Sequence, residues 1–165
     1  QDYLNYLEIE KNRSPKTREN YERYLKAFLA FAKIKHVEEI TDRLVTDFPE
    51  KFPVILADET RVEQVLANLV SNALKYAPKG EIRISGQVRP EQVIVCVSDQ
   101  GAGIEAKDLP HIFDRFYRST NAVKQTKGAG LGLYLARAIV EAHGGRIWAD
   151  SSAGTGAKIC FSLPR

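Results

Sequence analysis

One stretch of the sequence repeats polar residues, two of them asparagines, at a spacing of four. Gln64, Asn68, Asn72 and Tyr76 recur every four residues, so on a helix they form one line, with Lys75 beside it. Asparagine is a poor helix former because its amide competes for backbone hydrogen bonds. The two asparagine oxygens could serve a hard cation such as Mg²⁺, and the lysine could contact a phosphate. A solvated helix face is the alternative interpretation.

A second stretch, SDQGAGI at residues 98–104, follows a predicted strand that Asp99 ends. The carboxylate could accept a hydrogen bond from an exocyclic amine. Gly101 and Gly103 would let a flat ring approach the backbone, since neither has a side chain. A turn closed by an aspartate, which is common, is the alternative.

The third stretch, GAGLGL at residues 128–133, comes directly before a predicted helix. Gly128, Gly130 and Gly132 would leave backbone N–H groups and the helix dipole facing an anion. A flexible loop is the alternative, because short glycine motifs match by chance. The three stretches together, on a helix, a strand end and a helix start, favour one ligand site.

The elements that must position these residues follow from hydrophobic periodicity. A helix capped by Asp58 carries an apolar stripe, and Gly144–Gly145 end a later helix over 131–143. Strands are predicted over 52–57, 81–86, 91–99, 146–150 and 157–164, with a hairpin around Pro90. Residues 109–118 are predicted as a short helix and 119–128 as a mobile loop. This order predicts an α+β fold with helices on one face of a mixed, mostly antiparallel sheet. The predicted stripe is Val62, Val65, Leu66, Leu69, Val70 and Ala73.

Residues 1–43 follow a different pattern, since they contain no glycine and have helical periodicity. Ser14 suits an N-cap and Pro15 the first position of a helix. We therefore predict a helical hairpin over 1–43 and a second domain over 44–165.

The composition narrows the function classes. The chain has 165 residues and a net charge of +3 with acids and bases interspersed, so it gives no sign of a nucleic-acid protein. No apolar run is long enough to cross a membrane. Cys96 and Cys160 each lie in an alternating apolar run, which predicts two separate buried thiols and a reducing compartment. Because the chain starts at Gln1 and lacks methionine, we expect a fragment or a processed product.

Residues from about 45 to 165 resemble the catalytic, ATP-binding domain of bacterial sensor histidine kinases. QVLANLVSNALKYAP resembles the N box, DQGAGI the first glycine box, IFDRFYR the F box and GAGLGL the second glycine box. The resemblance implies the sandwich of helices on a mixed sheet that gyrase-type ATPases share. It also implies Mg²⁺ and ATP as cofactors, a cytoplasmic location, and a lid over residues 119–127.

The resemblance also implies roles for single residues. Asn72 would hold Mg²⁺, Asn68 and Lys75 would lie at the phosphates, Tyr76 would flank the nucleotide, and Asp99 would bind the adenine amine. Arg115 and Arg118 lie where the family places γ-phosphate contacts. Ala157 departs from the family, which often has Ser or Thr there, so a water-mediated adenine contact would be missing. The glycine boxes would contribute Gly101, Gly103, Ile104, Gly128, Gly130, Leu131, Gly132 and Leu133.

A complete kinase of this kind phosphorylates a histidine in a motif like His-Glu-Leu/Ile-Arg-Thr-Pro. His36, His111 and His143 are the three histidines, and none has that motif. The phosphoacceptor hairpin would therefore be supplied in trans, and a response regulator would follow it in the parent family. No residue of this chain is predicted to be catalytic.

Residues 1–43 resemble instead the first helices of the N-terminal core-binding domain of tyrosine recombinases. This stretch has nine Lys or Arg and eight Asp or Glu, so any DNA binding through phosphate contacts should be weak. We interpret the chain as a chimera. Three hypotheses follow: a kinase catalytic domain, an inactive nucleotide-binding chimera, and a weak DNA-binding module.

Overall fold

The computed structural model describes residues 43–119 and 129–165. The predicted N-terminal hairpin, apart from Arg43, and the predicted lid, apart from Ser119, lie outside these residues, as does Gly128. The described elements are β1 (Leu44–Asp47), α1 (Glu59–Tyr76), β2 (Ile82–Val88), β3 (Gln92–Asp99), α2 (Gly132–Ala142), β4 (Arg146–Ser151) and β5 (Ala157–Pro164).

The five strands form one mixed sheet in the order β1-β2-β3-β5-β4. β1 and β2 are parallel, and the other three pairs are antiparallel. The hairpin between β2 and β3 closes through a hydrogen bond from Arg89 N to Gln92 O of 2.8 Å. The predicted fold class, helices on a mixed and mostly antiparallel sheet, is confirmed.

The core lies between the two helices and one face of the sheet. α1 begins as predicted, because the Asp58 side chain accepts a hydrogen bond from Arg61 N at 3.1 Å. Its apolar stripe is confirmed, with four members fully buried and Val62 and Leu66 packed at the edge of the core. The largest fully buried side chains are Phe161, Leu69, Ile82, Ile84, Val65, Val70, Val93 and Val140.

The two cysteines correct the sequence-based prediction. Cys96 on β3 and Cys160 on β5 are directly opposite in the antiparallel register and form a disulfide. Each cysteine is 3% exposed. The prediction of two separate thiols was wrong because the sequence shows each strand but not the register between them, and the argument for a reducing compartment falls with it.

Two predicted elements are also wrong. Residues 52–57 have no regular secondary structure and pair with no described strand; Ile55 and Ala57 pack against the core while Val54 and Leu56 face outward. Pro53 in this stretch has no N–H to donate to a ladder. The strand in this region is β1, eight residues earlier.

Residues 109–118 form consecutive turns rather than a helix. Hydrogen bonds run from Asp108 N to Glu105 O, from His111 N to Asp108 O and from Asp114 N to His111 O. Phe116 has a φ of 63°, which ends the turns in the left-handed region. No described helix is long and apolar enough to cross a membrane.

Candidate functional site

The polar line on α1 is half-buried and borders the second glycine stretch. Asn68 Nδ2 is buried and has no hydrogen-bond partner within the described ranges. A Cβ at Gly132, the first residue of α2, would lie 3.5 Å from Asn68 Oδ1. The fold therefore brings the predicted N box and second glycine box together, with a buried donor left unbonded between them. A buried unpaired amide costs free energy, so its presence points to a ligand.

Asp99, at the end of β3, has one oxygen anchored and one oxygen open. Oδ1 accepts hydrogen bonds from Gly101 N at 2.8 Å and from Ala157 N at 3.3 Å. Oδ2 accepts none from the described residues. Burial raises the pKa of the Asp99 carboxyl above its ordinary value, although the two backbone hydrogen bonds act in the opposite direction. The carboxylate is thus held in one orientation with an acceptor available to a ligand.

The turn after Asp99 packs too closely for side chains. A Cβ on Gly101 would lie 2.5 Å from Tyr76 O, at the end of α1. Gly103 has a φ of +71°, and a Cβ there would collide with Ser152 O. These contacts place the first glycine box directly beside the predicted nucleotide-flanking Tyr76. Lys75, one residue earlier, is exposed in the last turn of α1.

The turn between β4 and β5 supports the first glycine box. The sequence analysis did not predict this support. Ser151 Oγ accepts a hydrogen bond from Ile104 N at 2.9 Å and donates to Gly156 O at 2.7 Å. Gly154 N donates to Ala102 O at 2.6 Å. Ala157 lacks the hydroxyl that the family often has there, yet its backbone N–H binds Asp99. The Gly154-x-Gly156 pattern was the signal in the sequence.

The start of α2 has no side-chain cap and no acidic residue in its first turn. Leu131 is at the N-cap position and cannot accept a hydrogen bond through its side chain, and Gly132 and Leu133 follow it. Gly130 has a φ of +69°, and its carbonyl accepts a hydrogen bond from Phe116 N at 3.0 Å. The free N–H groups of a first turn and the helix dipole favour an anion at this point.

The two predicted γ-phosphate arginines are close to the same region. The Arg115 guanidinium lies 4.7 Å from the centre of the Phe116 ring and borders a groove beside Tyr134 and Arg137 of α2. Arg118 is half-buried next to the undescribed stretch. Neither placement tests a phosphate contact, so their assignment stays a prediction.

The residues present fit Mg²⁺ held mainly by phosphate and water. Asn72 lies half-buried on the same line as Asn68, one turn later, and its amide is not engaged by other described residues. Over residues 43–119 and 129–165, no group of three or more His, Cys, Asp or Glu could hold a metal by itself. Mg²⁺ typically takes one or two protein ligands together with substrate phosphates, so one amide oxygen is sufficient.

Two histidines form hydrogen bonds within the fold. His143 Nδ1 donates to Ile139 O at 2.8 Å, and its Nε2 accepts from Asp58 N at 3.1 Å. It thereby joins the end of α2 to the start of α1. His111 Nδ1 is hydrogen-bonded to Asp114 Oδ2 at 3.0 Å. His36 lies outside the described residues.

The sequence matches two family models. Residues 57–165 match the family described as histidine kinase-, DNA gyrase B- and HSP90-like ATPase. Residues 1–52 match the N-terminal SAM-like domain of phage integrases, in line with the resemblance to recombinases. The second match reaches over β1, which the structure places in the sheet of the ATPase fold.

Curated relatives are sensor kinases. The chain is 42% identical over 136 residues to the sensor histidine kinase WalK of Bacillus subtilis, covering 80% of this chain and 21% of the relative. It is 40% identical over 121 residues to the adaptive-response sensory kinase SasA of Prochlorococcus marinus, covering 72% of this chain and 32% of the relative. The chain thus spans about a fifth to a third of the length of these relatives.

Solved structures show the same fold. The catalytic domain of histidine kinase ThkA, in a nucleotide-free form, has a TM-score of 0.68 and 30% identity, with 85% of this chain and 93% of that chain covered. Full-length ShkA in complex with AMPPNP has a TM-score of 0.69 and 26% identity, with 85% and 30% covered. The chain belongs to the histidine kinase-, DNA gyrase B- and HSP90-like ATPases, and residues 57–165 are a catalytic ATP-binding domain of the type found in sensor histidine kinases.

Proposed function

We propose that this chain binds Mg²⁺-ATP and donates the γ-phosphoryl group to a histidine on a separate hairpin supplied in trans. The observation that carries the proposal is the Asp99 carboxylate, which is fixed by Gly101 N and Ala157 N and leaves Oδ2 open. An adenine ring lying on the Gly101–Gly103 turn would donate its exocyclic amine to that oxygen. The solved complex of ShkA with AMPPNP, an analogue of ATP, supports the choice of ligand.

The phosphates would extend from this turn towards the start of α2. There they would meet the unbonded Asn68 amide and the first-turn N–H groups near Gly132. Asn72 would supply an oxygen to Mg²⁺, and Lys75 would contact a phosphate. Arg115 and Arg118 would neutralise charge on the γ-phosphate. Phosphoryl transfer then depends on positioning and charge neutralisation rather than on a covalent intermediate with the protein.

The acceptor is the missing component. His143 uses both ring nitrogens within the fold, so it is not available as an acceptor, and exposed His111 is hydrogen-bonded to Asp114 through one ring nitrogen. In a two-component system, the phosphorylated hairpin would pass the group to a response regulator. We place this activity in the cytoplasm, because that is where ATP is supplied.

Calorimetric titration with ADP and ATP, with and without Mg²⁺, tests the binding half of the proposal. Specific binding that strengthens with Mg²⁺ is expected, and no binding of either nucleotide would overturn it. Adding a separate hairpin with an acceptor histidine and γ-labelled ATP tests transfer. Acid-labile, base-stable label on the hairpin, and none on this chain alone, is the expected result. Binding without any transfer would leave the inactive nucleotide-binding chimera as the function.

Weak DNA binding through the N-terminal hairpin, residues 1–43, is a second candidate, favoured by the match of residues 1–52 to the phage integrase N-terminal domain. Because charges in residues 1–43 nearly balance, we expect few phosphate contacts and a weak affinity that decreases only gradually as salt is raised. A fluorescence titration with duplex DNA at low and moderate salt checks this, and an absence of binding at low salt would exclude it.

A further inference from the structure

The Arg43 side chain binds three carbonyl groups directly after α1, at the C-cap and in the loop that follows. Its Nε donates to Gly80 O at 2.7 Å, Nη1 to Pro78 O at 3.0 Å and Nη2 to Ala77 O at 2.6 Å. Its own carbonyl accepts a hydrogen bond from Ile82 N at 2.8 Å. One residue therefore binds the loop that follows α1 by its side chain and the start of β2 by its backbone.

The end of α1 needs such a partner. The last carbonyls of a helix have no intrahelical donor, and a glycine in the left-handed region usually completes the end. Here the C-cap is Ala77, with a φ of −124°, so α1 does not end in a left-handed glycine. The Arg43 guanidinium binds the C-cap carbonyl of Ala77 and two carbonyls of the loop beyond it, and it places a cation near the negative end of the helix dipole.

The loop that Arg43 binds is packed directly against the proposed adenine site. A Cβ on Gly80 would lie 2.7 Å from Gln100 Oε1, which itself accepts a hydrogen bond from Glu81 N at 3.3 Å. Gly101, the residue after Gln100, packs against Tyr76 O. Loop 77–81 thus lies between the guanidinium and the turn that follows Asp99.

We propose that Arg43 is a positioning residue for nucleotide binding, which acts through loop 77–81 on Tyr76 and on the Asp99–Gly101 turn. The inference rests on the proposed function, since it assigns the adenine to that turn. Arg43 precedes the part of the chain that matches the ATPase family and falls within the part that matches the phage integrase domain. Its bonds nevertheless belong to the ATPase fold.

The test compares Arg43→Gln with Arg89→Gln. Arg89 lies in the hairpin between β2 and β3, at the other end of these strands from Asp99, and its Nη2 donates to Gln87 Oε1 at 3.3 Å, so its loss removes an arginine contact without touching loop 77–81. ADP affinity is measured by calorimetry under conditions in which circular dichroism shows every variant folded. We expect Arg43→Gln to weaken ADP binding roughly threefold to tenfold, Arg43→Lys to weaken it less, and Arg89→Gln to leave it unchanged.

A double-mutant cycle separates positioning from a general loss of stability. If Arg43 acts through the Asp99 turn, Arg43→Gln should add little to the loss already caused by Asp99→Asn. Equal losses in both backgrounds, or wild-type affinity in a less stable Arg43→Gln variant, would overturn the positioning role alone. If the wild-type chain binds no ADP, the proposed function and this inference both fail.

Discussion

The two ends of the proposed nucleotide site are built in different ways. We call the turn at Asp99–Gly103, with Ser151 and Gly156, the base side, and we call Asn68, Asn72 and residues 130–133 the phosphate side. On the base side, Asp99 Oδ1, Ile104 N and Gly156 O are all bonded within the protein. On the phosphate side, the Asn68 amide is unbonded and α2 starts without a side-chain cap.

The starts of the two helices show a related difference in capping. α1 begins with Asp58 as N-cap and Glu59 in its first turn, so its N–H groups are partly satisfied and its dipole is offset. α2 has neither, although its C-terminal end is joined to α1 by His143. In the proposed site, the base side would therefore select a ligand by fixed geometry, whereas the phosphate side keeps donors that a phosphate would satisfy.

The largest expected effect concerns the cross-link near the base side. The disulfide joins β3 and β5 across 64 residues of sequence, three residues before Asp99. Reduction should lower the free energy of unfolding by about 4 kcal/mol, because the unfolded chain regains loop entropy. Urea unfolding with and without dithiothreitol measures this. A variant with Cys96→Ala and Cys160→Ala should not respond to reductant, and an unchanged wild-type midpoint would mean that the bridge does not form in solution.

The next effect is the loss of the open carboxylate on the base side. Asp99→Asn should weaken ADP and ATP binding at least tenfold, since a charge-assisted hydrogen bond contributes about 1.5–3 kcal/mol. Calorimetry measures the change, and Asp150→Asn, an exposed carboxylate on β4, is the matched control. Wild-type affinity in a folded Asp99→Asn variant would refute the adenine assignment.

The same variant tests the raised pKa of Asp99. A carboxyl whose pKa is higher in the folded state lowers stability once it ionises, and this penalty is absent below its ordinary pKa. Asp99→Asn should therefore gain unfolding free energy relative to wild type at about pH 7 and lose that gain near pH 3. Urea unfolding at both values checks the sign.

On the phosphate side, Asn72→Ala should remove the part of ATP affinity that depends on Mg²⁺. We expect the ratio of affinities with Mg²⁺ and with EDTA to fall roughly tenfold, the scale of one contact to a charged group. Gln64→Ala, on the same line of α1 two turns earlier and bonded to Arg61, is the control. If the magnesium increment survives in Asn72→Ala, the metal assignment is wrong.

The smallest expected effect is also the one that separates the two sides. A Cβ at Gly132 would make ordinary contact with Asn68, so Gly132→Ala fits the fold and should not lower the free energy of unfolding. The methyl group would nevertheless stand between α2 and the Asn68 amide, and ATP affinity should fall roughly fivefold. Adenosine affinity should stay constant; an equal loss for adenosine would contradict the division into two sides.

Local patterns predicted where most residues of the candidate site lie on the helices and turns. The line of Asn68 and Asn72 follows from a spacing of four on one helix, and Asp99 with its glycines follows from a strand end and a tight turn. Gly130 and Gly132 lie where a loop enters a helix. In each case, the residues that decide the conformation are neighbours in the sequence.

What could not be predicted depends on register and on distant contacts. The Cys96–Cys160 bridge and the bond from Ala157 N to Asp99 both require β3 and β5 to pair in one register. β1 pairs in parallel with a strand about 38 residues later, and Arg43 meets the end of α1 by the same pairing. The predicted strand at 52–57 failed because an apolar run shows burial but not a hydrogen-bonding partner.

The direction in which the chain enters and leaves the sheet has a practical consequence. Leu44 pairs with Ile82, which pairs with Asp99, whereas Pro164 pairs with Gln92 at the opposite end of β3. The two ends are separated by the length of a seven-residue strand, roughly 20 Å. A fluorophore or a surface linker attached after Arg165 would therefore stand well away from the proposed nucleotide site, whereas residue 43 lies at the end of the sheet that carries Asp99.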